Sequence, residues 1–206
     1  MIINYKKKKL IFTHIQKCGG TSVINFFNHS KNHNKIKIDI EYLKKINENA
    51  DDYFKFTIIR NPWDRMVSFY HYHKEKTLEK GFPTKTWNYI KDLNFSEFLK
   101  SSKFQIWSLR NNITDYITYN KKPYIDYYIN FENLEKDFEI IKKISGNHKK
   151  LRKHNKSVHF NYKKYYTKET KEIINSLFKA EIDFFNFKFD KKINLKRLNK
   201  NLIKLN

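Results

Sequence analysis

Short apolar runs separated by long stretches of lysine and asparagine dominate the 206-residue chain. Leu10–Ile15 is one such run, of strand length, and predicts a short buried strand. A helix-compatible stretch follows from Thr21 to about Asn28. The pattern then repeats. Tyr53–Ile59 predicts a second strand, ending in the segment Arg60–Arg65. There Pro62 suits the first turn of a helix and Asn61 its cap, so the helix runs through Met66, Val67, Phe69 and Tyr70 to the His71–His73 region. Tyr124–Phe131 predicts another strand, followed by a helix from about Leu134 to Ile144 that stops near Gly146. Asn94–Lys100 reads as a short capped helix within an otherwise irregular middle from Lys76 to Lys122. Thr167 caps a long helix with apolar positions at Ile173, Ile174, Leu177, Phe178, Ile182 and Phe185, a core-facing stripe.

Strand-to-helix units in succession imply an α/β fold: a P-loop-like parallel β-sheet flanked by helices, in a single domain, with ligands at the carboxyl ends of the strands. The domain is expected over 1–190, with a basic tail over 191–206 that forms a packed or peripheral helix. No apolar run approaches a membrane span, and the N-terminus has its lysines after the apolar residues, unlike a signal peptide. A single cysteine excludes an internal disulfide framework and suits a reducing compartment, so a cytoplasmic protein is expected.

Glycine placement adds the first chemistry. Only four glycines occur, and Gly19 and Gly20 are adjacent in Phe12–Ser22, between the first strand and helix. A turn there with Lys17, two residues without side chains, and the hydroxyls of Thr21 and Ser22 has the chemistry of a phosphate cradle. Glycines let backbone N–H groups approach an anion, and a new helix adds N–H groups of its own. Lys17 supplies a point charge. A second anion site follows the second strand: Arg60 at its end, with Ser68 eight residues on. Arginine offers a forked donor set suited to phosphate, and Ser68 adds a hydroxyl. Two phosphate sites imply a ligand phosphorylated at two places.

Net charge of +22 points to a polyanionic partner such as nucleic acid, an acidic glycan or a membrane surface. It equally fits coding bias, since Lys, Asn, Ile, Tyr and Phe, the residues an AT-rich genome over-produces, dominate throughout. Charge speeds the approach of an anion in either case and identifies none.

At this point the residues resemble a known family. Phe12–Ser22 looks like the 5′-phosphosulfate loop of sulfotransferases, and Phe56–Tyr70 looks like their 3′-phosphate segment. Ile129–Phe138 is similar to the family's later strand-to-helix segment. His154–Ser157, Tyr165–Thr170 and Glu181–Phe187 are similar to its C-terminal pattern. The likeness covers most of the chain in order, with a gap from about Lys74 to Tyr124, and is nearest the carbohydrate (heparan- and chondroitin-type) branch. Gln16 stands where the family usually has proline before the lysine.

The resemblance implies 3′-phosphoadenosine 5′-phosphosulfate (PAPS) as donor and transfer of its sulfuryl group to an acceptor hydroxyl or amine, without a metal. By motif position, Lys17 would contact the 5′-phosphate and the bridging oxygen. The main chain of Cys18, Gly19, Gly20, Thr21 and Ser22 would hold the phosphosulfate, with the Thr21 and Ser22 hydroxyls. Arg60 and Ser68 would hold the 3′-phosphate, and Asn155 and Ser157 belong to a basic loop that closes over the donor. A general base is expected between the two phosphate motifs. His33 is the choice, with His29, Glu41, His71 and His73 as alternatives. The expected acceptor is a glycan, an acidic one by the basic surface, and the pattern implies no particular oligomeric state.

Other residues have plainer readings. His14 reads as a structural histidine at the strand end, and Cys18 lacks an adjacent base and reads as non-nucleophilic. Competing functions remain at this stage. A P-loop phosphotransferase needs its lysine after the second glycine of the loop, whereas Lys17 precedes Gly19. A basic nucleic-acid or polyanion-binding protein is suggested by aromatics among lysines at Tyr162–Tyr166. An inactive relative that keeps the nucleotide fold is a further alternative.

Overall fold

A computed structural model describes residues 1–30, 32–78, 85–152 and 160–199. Asn155 and Ser157 lie outside the described residues, as does the end of the expected tail. In chain order the elements are β1 (Ile2–Tyr5), β2 (Lys8–Thr13), α1 (Gly20–Phe26), α2 (Ile36–Lys45), β3 (Phe54–Ile59), α3 (Pro62–Leu78), α4 (Phe95–Lys100), α5 (Ser102–Ser108), α6 (Ile113–Ile117), β4 (Thr118–Tyr119), β5 (Lys122–Pro123), β6 (Tyr127–Asn130), α7 (Leu134–Ser145), α8 (Lys168–Leu177) and α9 (Lys179–Phe185). The chain divides into two compact units, one from Met1–Arg60, Ile113–Asn155 and Ile193–Asn206, the other from Asn61–Asn112 and Lys156–Lys192.

The first unit is built on a four-stranded sheet in the order β1-β2-β3-β6. β2, β3 and β6 are parallel, with Phe12 opposite Phe56 and Phe56 opposite Tyr127. β1 adds an antiparallel edge through a two-residue turn in which Lys6 and Lys7 both have positive φ. The expected parallel sheet is thus present, with one antiparallel strand that the hydrophobic pattern did not indicate. Its parallel strands are buried on both faces, which is why they read as continuous apolar runs rather than alternating ones. On one face Phe12 stacks on Phe56 at 5.0 Å, and Phe138 of α7 meets Phe56 at 6.4 Å and Phe26 of α1 at 5.0 Å. On the other, Ile11 packs with Ile36, Ile40 and Leu43 of α2 and with Ala50 and Tyr53. Asn199 closes the free edge of β6: its side chain bonds both the N–H and the C=O of Tyr128 at 2.9 Å.

The second unit is helical. Asn61 caps α3, its Oδ1 accepting from the N–H groups of Trp63 at 3.0 Å and Asp64 at 3.3 Å. Thr167 caps α8 in a capping box with Thr170. The expected long helix after Thr167 is two helices, α8 and α9, joined at Phe178. Ile174, Phe178 and Phe185 of its stripe are buried. At the centre Arg65 of α3 pairs with Glu181 of α9 at 3.1 Å, with both side chains at most 2% exposed. Arg65 also donates to the Asn111 carbonyl at 3.3 Å and lies over the Phe178 ring. Removing one partner of a buried pair strands the other charge. Glu181→Ala is therefore expected to lower unfolding free energy by about 3–5 kcal/mol, while Arg65→Met with Glu181→Leu costs far less. Guanidinium denaturation of the three proteins checks this. Among the described residues, no helix is long and apolar enough to cross a membrane.

Candidate functional site

Three neighbouring parallel strands end side by side in the first unit, and each releases one part of the candidate site. β2 leads through His14 and Ile15 into the loop that ends at Gly19, β3 into Arg60, and β6 into Phe131. The strand expected to reach Ile15 stops at Thr13, so His14 belongs to the loop's approach rather than to the sheet.

The loop is tight because its own carbonyls fold it. Cys18 N–H donates to the Ile15 carbonyl at 3.3 Å and Ser22 N–H to the Gly19 carbonyl at 3.1 Å. Lys17 takes a left-handed backbone, φ 63°, unusual for a residue with a Cβ. Gly19 caps α1 at φ 83° without a side-chain hydrogen bond. That φ suits glycine, and a Cβ there would also lie 3.0 Å from the Phe131 ring. At Gly20 a Cβ would lie 2.0 Å from Cδ2 of His14, so this position admits no side chain while the imidazole stays in place. Cys18 and Ser22 are buried, while Lys17 and Thr21 are half-buried. α1 itself is shorter than expected, seven residues ending at Phe26.

Arg60 is 6% exposed and holds the loop from the side. Its Nη1 donates to the Lys17 carbonyl at 3.0 Å, and its guanidinium lies 4.2 Å above the Phe131 ring. Phe131 therefore packs against Arg60 and Gly19 at once. The sequence reading missed this role. Its signals were that Phe131 opens the segment after the third parallel strand, where α/β ligand sites form, and that it lies within Ile129–Phe138, the segment similar to the family's later strand-to-helix unit.

Of the base candidates in the first unit, His33 packs against His14, which leads into the loop. Its ring centroid is 4.0 Å from that of His14, and its Nδ1 lies 3.2 Å from the His14 carbonyl. His29 and Glu41 are exposed; Glu41 pairs with Lys37 at 3.5 Å on the outer face of α2. His71 and His73 belong to the second unit, where His71 meets Tyr165 at 5.0 Å and His73 meets Phe69 at 4.3 Å. Ser68 also lies there, buried two turns into α3.

The donor chemistry is that of an anion site. Lys17, the main chain at Gly19 and Gly20, Thr21 and Arg60 all offer donors, and no carboxylate is among them. At the end of β6, one residue before Phe131, Asn130 Nδ2 is buried with no hydrogen-bond partner among the described residues. Buried polar atoms are ordinarily satisfied, so an unpaired donor at that strand end accords with a ligand-binding region. A loop of this composition at the end of a parallel strand, in an α/β unit, has the donor chemistry suited to an anionic group.

The match to known proteins goes further. Residues 1–188 fit the model of the sulfotransferase family, and the chain belongs to that family. An uncharacterized protein of Archaeoglobus fulgidus is 36% identical over 97 residues, which are 46% of this chain and 69% of that protein. The crystal structure of mouse sulfotransferase SULT7A1 complexed with PAP shares 14% identity, over 99% of this chain and 91% of that one, with a TM-score of 0.42. Family membership favours neither the P-loop phosphotransferase nor the nucleic-acid reading.

Proposed function

We propose that the protein transfers the sulfuryl group of PAPS to an acceptor, with the β2–α1 loop holding the donor's 5′ end. The observation that carries this is the union of Lys17, Gly19, Gly20 and Arg60 at the ends of adjacent parallel strands, within a chain of the sulfotransferase family. The Cys18 and Ser22 N–H groups bond inside the loop, which supports a backbone cradle formed by the main chain at Gly19, Gly20 and Thr21.

The donor supplies an activated sulfuryl group. The acceptor oxygen forms a bond to sulfur as the bond from sulfur to the bridging phosphate oxygen breaks, and the acceptor's proton passes to a base. Negative charge then grows on the departing phosphate. Lys17 neutralises it, as a preorganised donor stabilises an oxyanion. His33 takes the proton. Arg60, stacked on Phe131, fixes the Lys17 backbone and adds positive charge to the site. The assignment of Ser68 and Arg60 to the 3′-phosphate rests on their eight-residue spacing and on the family resemblance.

The acceptor is a carbohydrate, and an acidic one. Similarity to the carbohydrate branch supports the first point and the net charge of +22 the second. Cys18 as the single thiol accords with a reducing cytoplasm. Incubation with radiolabelled PAPS and a panel of acidic glycans, neutral glycans, tyrosine peptides and phenols tests the acceptor class. Label on acidic glycans alone supports the reading; label only on peptide or phenol overturns it.

A further inference from the structure

We infer that His14 is a positioning residue that ties the proposed base, His33, to the donor loop, and that Gly20 lacks a side chain to leave room for it. This rests on the reading of His33 as the base.

His14 is 3% exposed and stacks on Phe12, with ring centroids 5.7 Å apart. Its Nδ1 lies 2.9 Å from the carbonyl of Asn32, the residue before His33. In return, Nδ1 of His33 lies 3.2 Å from the carbonyl of His14, and the two rings sit 4.0 Å apart. The strand end and the 32–33 segment are thus joined by two reciprocal side-chain-to-backbone bonds and a ring contact.

Both acceptors are carbonyls, which cannot donate. Each neutral ring therefore carries its proton on Nδ1 and its lone pair on Nε2. For His33 this is the form a base requires, fixed by a backbone atom of His14. The other side of His14 meets the first residue of α1: a Cβ on Gly20 would lie 2.0 Å from Cδ2 and 2.4 Å from Nε2. One imidazole touches the donor loop and the base at once, which makes it more than a space-filling residue at a strand end.

The test compares His14→Ala, His14→Asn, Gly20→Ala and the His14→Ala/Gly20→Ala double variant. Affinity for 3′-phosphoadenosine 5′-phosphate (PAP), turnover of PAPS and the tautomer of His33 by nitrogen-15 NMR are measured in each. His14→Ala is expected to keep affinity within about threefold while turnover falls at least about tenfold, a part of the 10²–10⁴ available from general-base catalysis. Its His33 signal should shift from one tautomer to a mixture, because without the bond from the His14 ring to the Asn32 carbonyl the 32–33 segment no longer holds His33 Nδ1 against the His14 carbonyl. The amide of His14→Asn places an N–H where Nδ1 was and should restore much of the turnover. Gly20→Ala should lose affinity, and His14→Ala in that background should regain it, a strongly non-additive pair. Additive effects, equal losses of affinity and turnover, no rescue by asparagine, or an unchanged His33 tautomer would each overturn the inference. If the wild type neither binds PAP nor turns over PAPS, the proposed function fails, and the tautomer comparison still decides whether His14 orders His33.

Discussion

Lys17→Ala is expected to lower turnover of PAPS by about 10²–10³, equivalent to about 2.7–4 kcal/mol of transition-state stabilisation, with a much smaller loss of PAP affinity. The split follows from when the contact matters. In the proposed mechanism the charge that Lys17 would meet is only partly developed in the bound donor and grows as the bond to sulfur breaks, so its removal should act on kcat more than on KM. The fold should tolerate the change. Lys17 already sits at φ 63°, and alanine in the same backbone carries comparable strain. PAP release at saturating PAPS, with thermal melting as control, checks this. Unchanged turnover would remove Lys17 from the chemistry, and a loss confined to KM would reduce it to a binding residue.

Arg60→Ala is expected to weaken PAP binding by about 100-fold or more, since hydrogen bonds to charged groups contribute about 1.5–3 kcal/mol each and this side chain makes more than one kind of contact. It donates to the Lys17 carbonyl at 3.0 Å and lies 4.2 Å over Phe131, so its loss also frees the loop that carries Lys17. Arg60→Lys should rescue little. An ammonium keeps the charge but lacks the planar fork that stacks on a ring while donating to a carbonyl. Calorimetric titration of the three proteins with PAP reads the effect, and wild-type affinity in Arg60→Ala would contradict it.

The local conformation of the candidate loop was legible because its residues obey local rules. A glycine pair between an apolar run and a helix has few plain explanations, and Gly19 does adopt a positive φ that side chains disfavour. Asn61 before Pro62, Thr167 before α8 and Gly146 after α7 are end signals that the structure places as expected. What escaped depends on distance or on exceptions. The β1–β2 turn uses Lys6 and Lys7 at positive φ, where asparagine or glycine would have announced a hairpin. α2 has apolar positions at Ile36, Ile40 and Leu43, but the exposed Ile38 and Tyr42 blur that period. The stripe after Thr167 runs unbroken through Phe178, because a bend between helices need not interrupt apolar spacing. The third strand begins at Tyr127 rather than Tyr124, as Tyr124 and Ile125 turn to the α2 side of the core. No local pattern could reveal that Phe131 lies under Arg60, since the sheet brings those two segments together, and the contact of the His14 ring with Gly20 depends on how the β2–α1 loop folds back on itself.

Calorimetric titration of the wild-type protein with PAP tests the central claim most directly. One site of micromolar affinity, near −8 kcal/mol, that persists without Mg²⁺ is the predicted result. A folded protein that shows no binding would contradict the sulfotransferase mechanism proposed for this chain.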